Sequence, residues 1–456
     1  MINIEQLKQD LETLIAGLDD ESTAEDLLTL VASIDSLTAD RIVSIATVNQ
    51  LPDLFETEFP SGSVFFVEEI DVLVVSVEFK WLGLDGRLLR YDGPPDADAM
   101  SWGFNNNGHL GDGTISDRSS PVTVIGGITN WSQVSAGGSH SLGVTNVGIA
   151  YAWGNNGFGR LGDGTIITDR LSPVNVIGDI TNWSQVSAGG FHSLGVTDDG
   201  IAYAWGRNLS GRLGDGTITD RSSPITVVGG ITNWSQLSAG AVHSLGVTDD
   251  GIAYAWGSNG SGRLGDGTRI DRSSPVTVIG GITNWSQVSA GGFHSLGLTD
   301  DGIAYAWSSG FSGILGNGST IARSSPVTVV GGITNWSQLS AGDLHSLGVT
   351  DDGIAYAWGR NINGQLGDGT LLSKNSPITV VGGITNWSQV SGGVAHSLGL
   401  TDDGIAYAWG NNNQGRLGDE TTIEKSSPVT VIGGITNWSQ LSAGYDHSLG
   451  LKAADE

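Results

Sequence analysis

From residue 99 onward, apolar and polar positions alternate in short bursts, and the bursts recur. Across residues 201–205, Ile201, Tyr203 and Trp205 fall on one side of an extended segment and Ala202 and Ala204 on the other, the two-residue period of a β-strand. We label this strand a. Strand b is expected at 225–228, strand c at 235–239 and strand d at 243–248, where His243, Leu245 and Val247 share a face. A long ab loop rich in Gly, Asn, Asp and Ser separates the first two strands, and Gly229-Gly230 and Asp249-Asp250-Gly251 mark sharp turns. The unit returns seven times. Trp102, Trp153, Trp205, Trp256, Trp307, Trp358 and Trp409 are spaced by 51 or 52 residues, and the tryptophan series Trp131 to Trp438 and the histidine series His140 to His447 keep the same step. Four short strands per repeat of this length predict propeller blades, read here as one a-b-c-d repeat per blade. An open stack would expose a sheet edge, so the ring is expected to close. The segment 99–102 lacks a preceding strand d and 447–451 lacks a following strand a, so the chain ends should pair. The fold class is therefore mainly β: a seven-bladed β-propeller over residues 99–456, preceded by short helices and a small β-meander.

Residues 1–48 carry a different pattern. Ile4, Leu7, Leu11, Leu14 and Leu18 are spaced 3, 4, 3, 4, and Leu27, Leu30, Ile34 and Leu37 repeat the 3-4-3 spacing after a Ser22/Glu25 capping box. Two helices are expected, either folded as a hairpin or meeting other copies in a bundle. On either reading, Ile4, Leu7, Leu11, Leu14, Leu27, Leu30 and Ile34 form an assembly or docking segment. Residues 49–93 read as a meander of strands at 64–67, 70–77, 79–84 and 87–91, with Asp85-Gly86 as a two-residue turn between the last two. Residues 94–98, Pro-Pro-Asp-Ala-Asp in the main, read as a linker.

Composition narrows the function classes. Cysteine is absent, so disulfides and thiolate metal sites are excluded. No basic-then-apolar leader opens the sequence, and no apolar run approaches the roughly 20 residues of a membrane span. A soluble protein without membrane insertion is expected. The net charge is −28, of which residues 1–98 contribute −16 (21 acidic, 5 basic) and the remainder −12. Phosphate backbones recruit clustered Lys and Arg, so no nucleic-acid partner is expected.

The repeated side chains argue against catalysis. A catalytic group is needed once, beside a particular neighbour, and not seven times around a ring. Each repeated histidine is expected to tie its ring to a backbone carbonyl of the cd turn. His109, alone outside the register, reads as a surface substitution. The Gly-Asp-Gly-Thr loops (Asp112, Asp163, Asp215, Asp266, Asp368) could suggest calcium, but each offers too few carboxylates and an arginine adjoins the second, as in Asp117-Arg118. A local hydrogen-bonded turn is favoured, with no metal, no cofactor and no enzyme activity expected.

Read together, the spacing of Gly206, Asn208, Gly211, Leu213, Gly214, Gly216, Pro224, Ala239, Gly240, His243 and Gly251, repeated over residues 99–451, resembles the regulator-of-chromosome-condensation repeat family. The resemblance implies a seven-bladed propeller closed by strands from both termini. It implies no single function, since members resembling this chain include a GTPase nucleotide exchange factor, ligase-associated domains, an enzyme inhibitor and a light receptor. Repeat five departs from the pattern, with Ser308 where Gly206 stands in the type unit, and repeat two carries an extra residue near Ile166-Ile167.

The repeats disagree in two places, the start of the ab loop and the residue pair before the histidine. Both should emerge at one end of the blades, whereas the uniform bc and da turns, with five Asp-Asp pairs plus Asp179, should emerge at the other. The varied face offers Phe104, Phe158, Phe191, Arg207, Phe293, Phe311, Arg360 and Tyr445 as partner contacts, since aromatic groups near arginines are common anchors of recognition surfaces. The function expected is non-catalytic binding of a protein or surface glycan. The first reading is a phage virion fibre or decoration protein that recognises a host surface, self-associating or docking through residues 1–93. The alternative is a cytoplasmic propeller regulator that binds a GTPase or other protein.

Overall fold

The structure, a computed structural model, describes residues 97–454 and the backbone of five strands between residues 42 and 90. The expected helical seams, from Ile4 to Leu37, lie outside the described residues, and so does the turn at Asp85-Gly86. The chain divides into two units, Met1–Pro95 and Asp96–Glu456.

In the first unit the strands Val64–Val67, Val72–Val77, Lys80–Leu82 and Leu88–Arg90 form the expected antiparallel meander. A fifth strand, Ile42–Ile45, pairs parallel to Val64–Val67, inside the segment expected to be helical. Its Ile-Val-Ser-Ile text is β-branched, which suits a strand better than a helix. Lys80 pairs with Arg90, Trp81 with Leu89 and Leu82 with Leu88.

In the second unit seven four-stranded sheets make the propeller. One sequence repeat is not one blade. Each sheet runs c-d-a-b from the axis outward, taking c and d from one repeat and a and b from the next: Trp183–Ala188, His192–Thr197, Ala202–Gly206 and Arg221–Thr226 form blade two. Residues 201–251 therefore supply the outer half of blade two and the inner half of blade three. The short Asp-Asp-Gly turn after strand d leads directly into a hairpin with strand a, which is why d and a are sheet neighbours. Strand b starts earlier than the pattern predicts, at Arg221 and not at Ile225, and tolerates Pro224 because it is the outer edge strand. The seventh blade takes c and d, Trp438–Ala443 and His447–Ala453, from the C-terminal end and a and b, Ala97–Gly103 and Arg118–Thr123, from the start of the unit. Ser448 pairs with Trp102 in a register that runs to Ala97 opposite Ala453, so the closing strand begins inside the expected linker.

The core lies in the seams between blades. A representative cluster joins Leu142, Val144, Ala150, Ala152, Leu161 and Val176 of one blade to Trp183, Val186 and Trp205 of the next. The alanines of strand a let sheets approach while the two tryptophans meet edge-on, as Trp234 and Trp256 do at 5.7 Å. The inner edge of each sheet would leave strand c amides unpaired. Neighbouring side chains satisfy them: the Val186 amide donates to Gln133 Oε1 (2.7 Å) and the Ala188 amide to Ser135 Oγ (2.9 Å), and the same lacing joins blade seven to blade one through Gln440 and Ser442.

Candidate functional site

The seven histidines open strand d, are fully buried, and form one closed circuit. Each Nε2 lies 2.7–3.0 Å from a serine Oγ of the following blade: His140 to Ser193, His192 to Ser244, His243 to Ser295, His294 to Ser346, His345 to Ser397, His396 to Ser448 and His447 to Ser141. The partner is thus an inter-blade serine and not the cd-turn carbonyl expected from sequence. Each serine hydroxyl donates to a carbonyl of the preceding ab loop, as Ser193 does to the Arg160 carbonyl at 2.8 Å. Its oxygen must therefore accept from the histidine, which puts a proton on Nε2. Burial pushes these imidazoles down, His345 to about 4 and His294, next to His345, to about 3. They tie each blade to the next all the way round the ring.

His109 is also buried, 1% exposed, and is no surface substitution. It stands where Arg160 and Arg212 stand in other loops, packed 4.7 Å from the His447 ring and 5.6 Å from Phe104. Burial lowers it to about 4.

The Gly-Asp-Gly-Thr loops are hydrogen-bonded turns. Asp215 Oδ1 accepts from the Asn208 side-chain amide (2.9 Å), the Thr217 amide (3.0 Å) and the Thr217 hydroxyl (2.8 Å), and Oδ2 accepts from Arg221 at 2.8 Å. Burial opposes ionisation here, but the bonds from Thr217 and Arg221 outweigh it and hold the carboxyl below its usual range. Both oxygens are already spoken for by donors, so the loop is not arranged as a cation cage. Among the described residues no group of three acidic or histidine side chains is placed to hold a metal ion, and no helix is long and apolar enough to cross a membrane.

The ab loops and cd turns do share one end of the disc. His192, which opens strand d, pairs with Gly206, which closes strand a, and the Arg207 amide donates to the Phe191 carbonyl at 3.0 Å. On that end the expected contact residues separate into groups. Phe158 from blade one meets Phe191 and Arg207 from blade two: the Arg207 guanidinium lies 4.7 Å from the Phe158 ring and 5.4 Å from Phe191. Tyr445 reaches from blade seven past the glycines of blade one, so that a β-carbon on Gly190 would stand 2.5 Å from its hydroxyl. Burial raises the Tyr445 phenol. Phe293 (44% exposed), Phe311 (62% exposed) and Arg360 belong to blades four and five, and Phe104 sits on His109 in blade seven. Below them the Gly and Ala residues of the cd turns, with Tyr445 and Asp343, line a cavity of about 150 Å³ at the axis. Burial raises the Asp343 carboxyl, opposed by Arg360.

Sequence reasoning missed Arg160 and Arg212. Both are buried and both face Phe191, at 5.3 and 6.0 Å. The signal was present: the residue before Leu-Gly is Arg at 160, 212, 263 and 416 but His109, Ile314 and Gln365 elsewhere, a variation hidden by the uniform text that follows it.

Comparison with known proteins agrees with this architecture. The description "Regulator of chromosome condensation (RCC1) repeat" matches residues 99–144, 148–196, 199–247, 250–298, 352–400 and 403–451, passing over the divergent fifth repeat. The chain is 34% identical over 342 residues to the ultraviolet-B receptor UVR8 of Arabidopsis thaliana, covering 73% of this chain and 77% of that one. It is 29% identical over 378 residues to the human E3 ubiquitin-protein ligase HERC2, covering 78% of this chain but only 8% of HERC2. The fold is similar to that of Prp20p from Saccharomyces cerevisiae, with a TM-score of 0.70 at 20% identity over 79% of this chain and 92% of that one.

Proposed function

The chain belongs to the RCC1 repeat family, and from that premise we propose that it is a non-catalytic propeller whose ab/cd face binds a protein partner. One observation carries the reading. Variation among otherwise near-identical repeats gathers on a single face, and there it assembles Phe158, Phe191, Arg207 and Tyr445 at the seam of blades one and two. Rigid aromatic groups beside guanidinium groups suit recognition at low entropic cost. The buried titratable groups serve the ring itself, which leaves no nucleophile, base and orienter converging among the described residues.

The finer reading as a cytoplasmic regulator of a GTPase or another protein has more support than the virion reading. Prp20p, similar in fold, was characterised with its binding to Gsp1p and histones. None of the relatives named above is a virion protein, and nothing favours a glycan over a protein. The test is to identify a partner by cross-linking in the source cell, purify it and measure affinity. Arg207→Ala with Phe158→Ala should weaken binding at least tenfold, and Asp249→Ala with Asp250→Ala on the other face less than twofold. The reverse pattern would put the partner on the wrong face and end the reading. For the GTPase form, the purified propeller should accelerate release of labelled nucleotide from that partner.

A further inference from the structure

Three guanidinium groups converge on one phenyl ring at the seam of blades one and two, and none of them has a carboxylate partner among the described residues. Arg160, Arg207 and Arg212 lie 5.3, 5.4 and 6.0 Å from the centre of Phe191. Arg160 donates from Nε to the Gly157 carbonyl and from Nη1 to the Gly190 carbonyl, and Arg212 does the same with Leu209 and Ala241. No acceptor within the described residues meets Nη2 of either arginine, or any side-chain nitrogen of Arg207. Asp169 and Asp220, whose charges act on Arg160 and Arg212 without contact, accept instead from the Asn156 and Asn208 amides. Buried like charges without a counter-ion are costly.

The chain contains its own version of the same site with the counter-ion built in. Arg416 is the counterpart of Arg160 at the seam of blades six and seven, two seams away: its Nη1 donates to the Tyr445 carbonyl just as Arg160 Nη1 donates to Gly190. The next residue there is Asp446, whose carboxylate lies 2.7 Å from Arg416 Nη1. In blade two the residue at that position is Phe191. The anion that satisfies the arginine in blade seven is thus replaced by a ring, while two further guanidinium groups are added around it.

We infer that Arg207, the one of the three that is not buried, binds a carboxylate of a partner segment, drawn there by the uncompensated charge of Arg160 and Arg212 behind it, with half-exposed Phe158 and Leu209 receiving an apolar side chain next to it. This inference rests on the reading of the ab/cd face as a partner surface and names the chemistry the partner must bring. A bidentate carboxylate fits the guanidinium fork. The chain's net charge of −28 disfavours a polyanion, so a single acidic residue flanked by an apolar one is the recognised unit.

The test uses the full chain and a fluorescein-labelled peptide, Gly-Ser-Glu-Phe-Ser-Gly, read by anisotropy at physiological salt. Its Glu→Gln version should bind at least tenfold more weakly. Arg207→Gln should lose at least tenfold and Arg207→Lys less than that. Phe191→Asp, which installs the blade-seven arrangement, should abolish binding and leave the thermal melt unchanged or raised, so that loss of folding cannot imitate the result. Equal binding of the Glu and Gln peptides would overturn the inference. So would an unaltered Arg207→Gln variant, or displacement of the peptide by inorganic phosphate at concentrations where acetate has no effect. If the purified partner binds through this face but the peptide does not, the carboxylate site falls and the face reading stands. If the peptide binds and the partner is indifferent to Arg207, the face reading falls instead.

Discussion

The ab loops of blades two and four occupy equivalent slots and follow similar backbone paths, yet they are held by different means. In blade two, Asn208 is buried at the centre of a polar web: its side chain donates to Asp215 and the Thr217 carbonyl, it accepts from the Leu213 amide, and Arg221 closes the web on Asp215. In blade four the corresponding residues are Gly310, Asn317 and Ser319, and Arg323 has no ion pair among the described residues. There the residue before the buried leucine is Ile314, itself fully buried in a cluster with Leu339 and beside Leu344. What the loops share is backbone: Gly216 donates to Ser273 of the next blade and Gly318 to Asn375, each at 2.8 Å. The difference teaches that inter-blade backbone bonds and a leucine plug set the path of the loop, whereas the polar web adds stability to a path already chosen.

The largest expected effect tests what both loops share. The histidine circuit runs through every blade, and its rings are neutral when folded but free to protonate when unfolded. A depressed folded pKa means that stability is complete above about 6.5 and is lost as pH falls toward the folded value. For His345, lowered to about 4, that is about 3 kcal/mol. Melting temperature should drop steeply between pH 6.5 and 4, with amide exchange rising in both loops together; a flat profile would remove the circuit from the account of closure.

Next comes the web itself. Asn208→Ala strands the Leu213 amide and unbinds Asp215, and should cost about 2–3 kcal/mol in denaturant unfolding. Asn317→Ala, at the Asp215 position of the loop without a web, removes one acceptor of the Ser319 amide and should cost less, and equal costs would mean the two loops are not held differently.

A smaller effect should run the other way. Ser308 occupies a left-handed backbone position (φ 98°) held elsewhere by glycine, as at Gly206 (φ 100°), where a β-carbon would approach the His192 backbone at 2.8 Å. Ser308→Gly should stabilise by about 1 kcal/mol. Smallest of all, Phe311→Ser should change stability by less than about 0.5 kcal/mol, because the ring is mostly exposed. A larger loss would show that the apolar loop depends on it.

Much of the architecture was legible because a 51-residue beat repeats every local decision seven times. Trp102, Trp153 and their counterparts fixed the number of blades, the unpaired end strands called for closure, and the scattered text of loops ab and cd pointed to one face. Details within the repeat were less legible. Strand b begins at Arg221 because its pairing with Gly206 extends the sheet through a bulge, which no apolar alternation records.

Sequence alone determined a closed ring of seven similar sheets, since hydrophobic period and turn chemistry are local and the repeat leaves few other ways to bury them. Tertiary structure alone decided that a blade takes halves from two repeats, that each histidine finds a serine 52 or 53 residues away (306 at the closing seam), and that Arg160 and Arg212 gather around Phe191. These are contacts across seams. They depend on how one sheet is inclined against the next, and a linear pattern carries no trace of that angle.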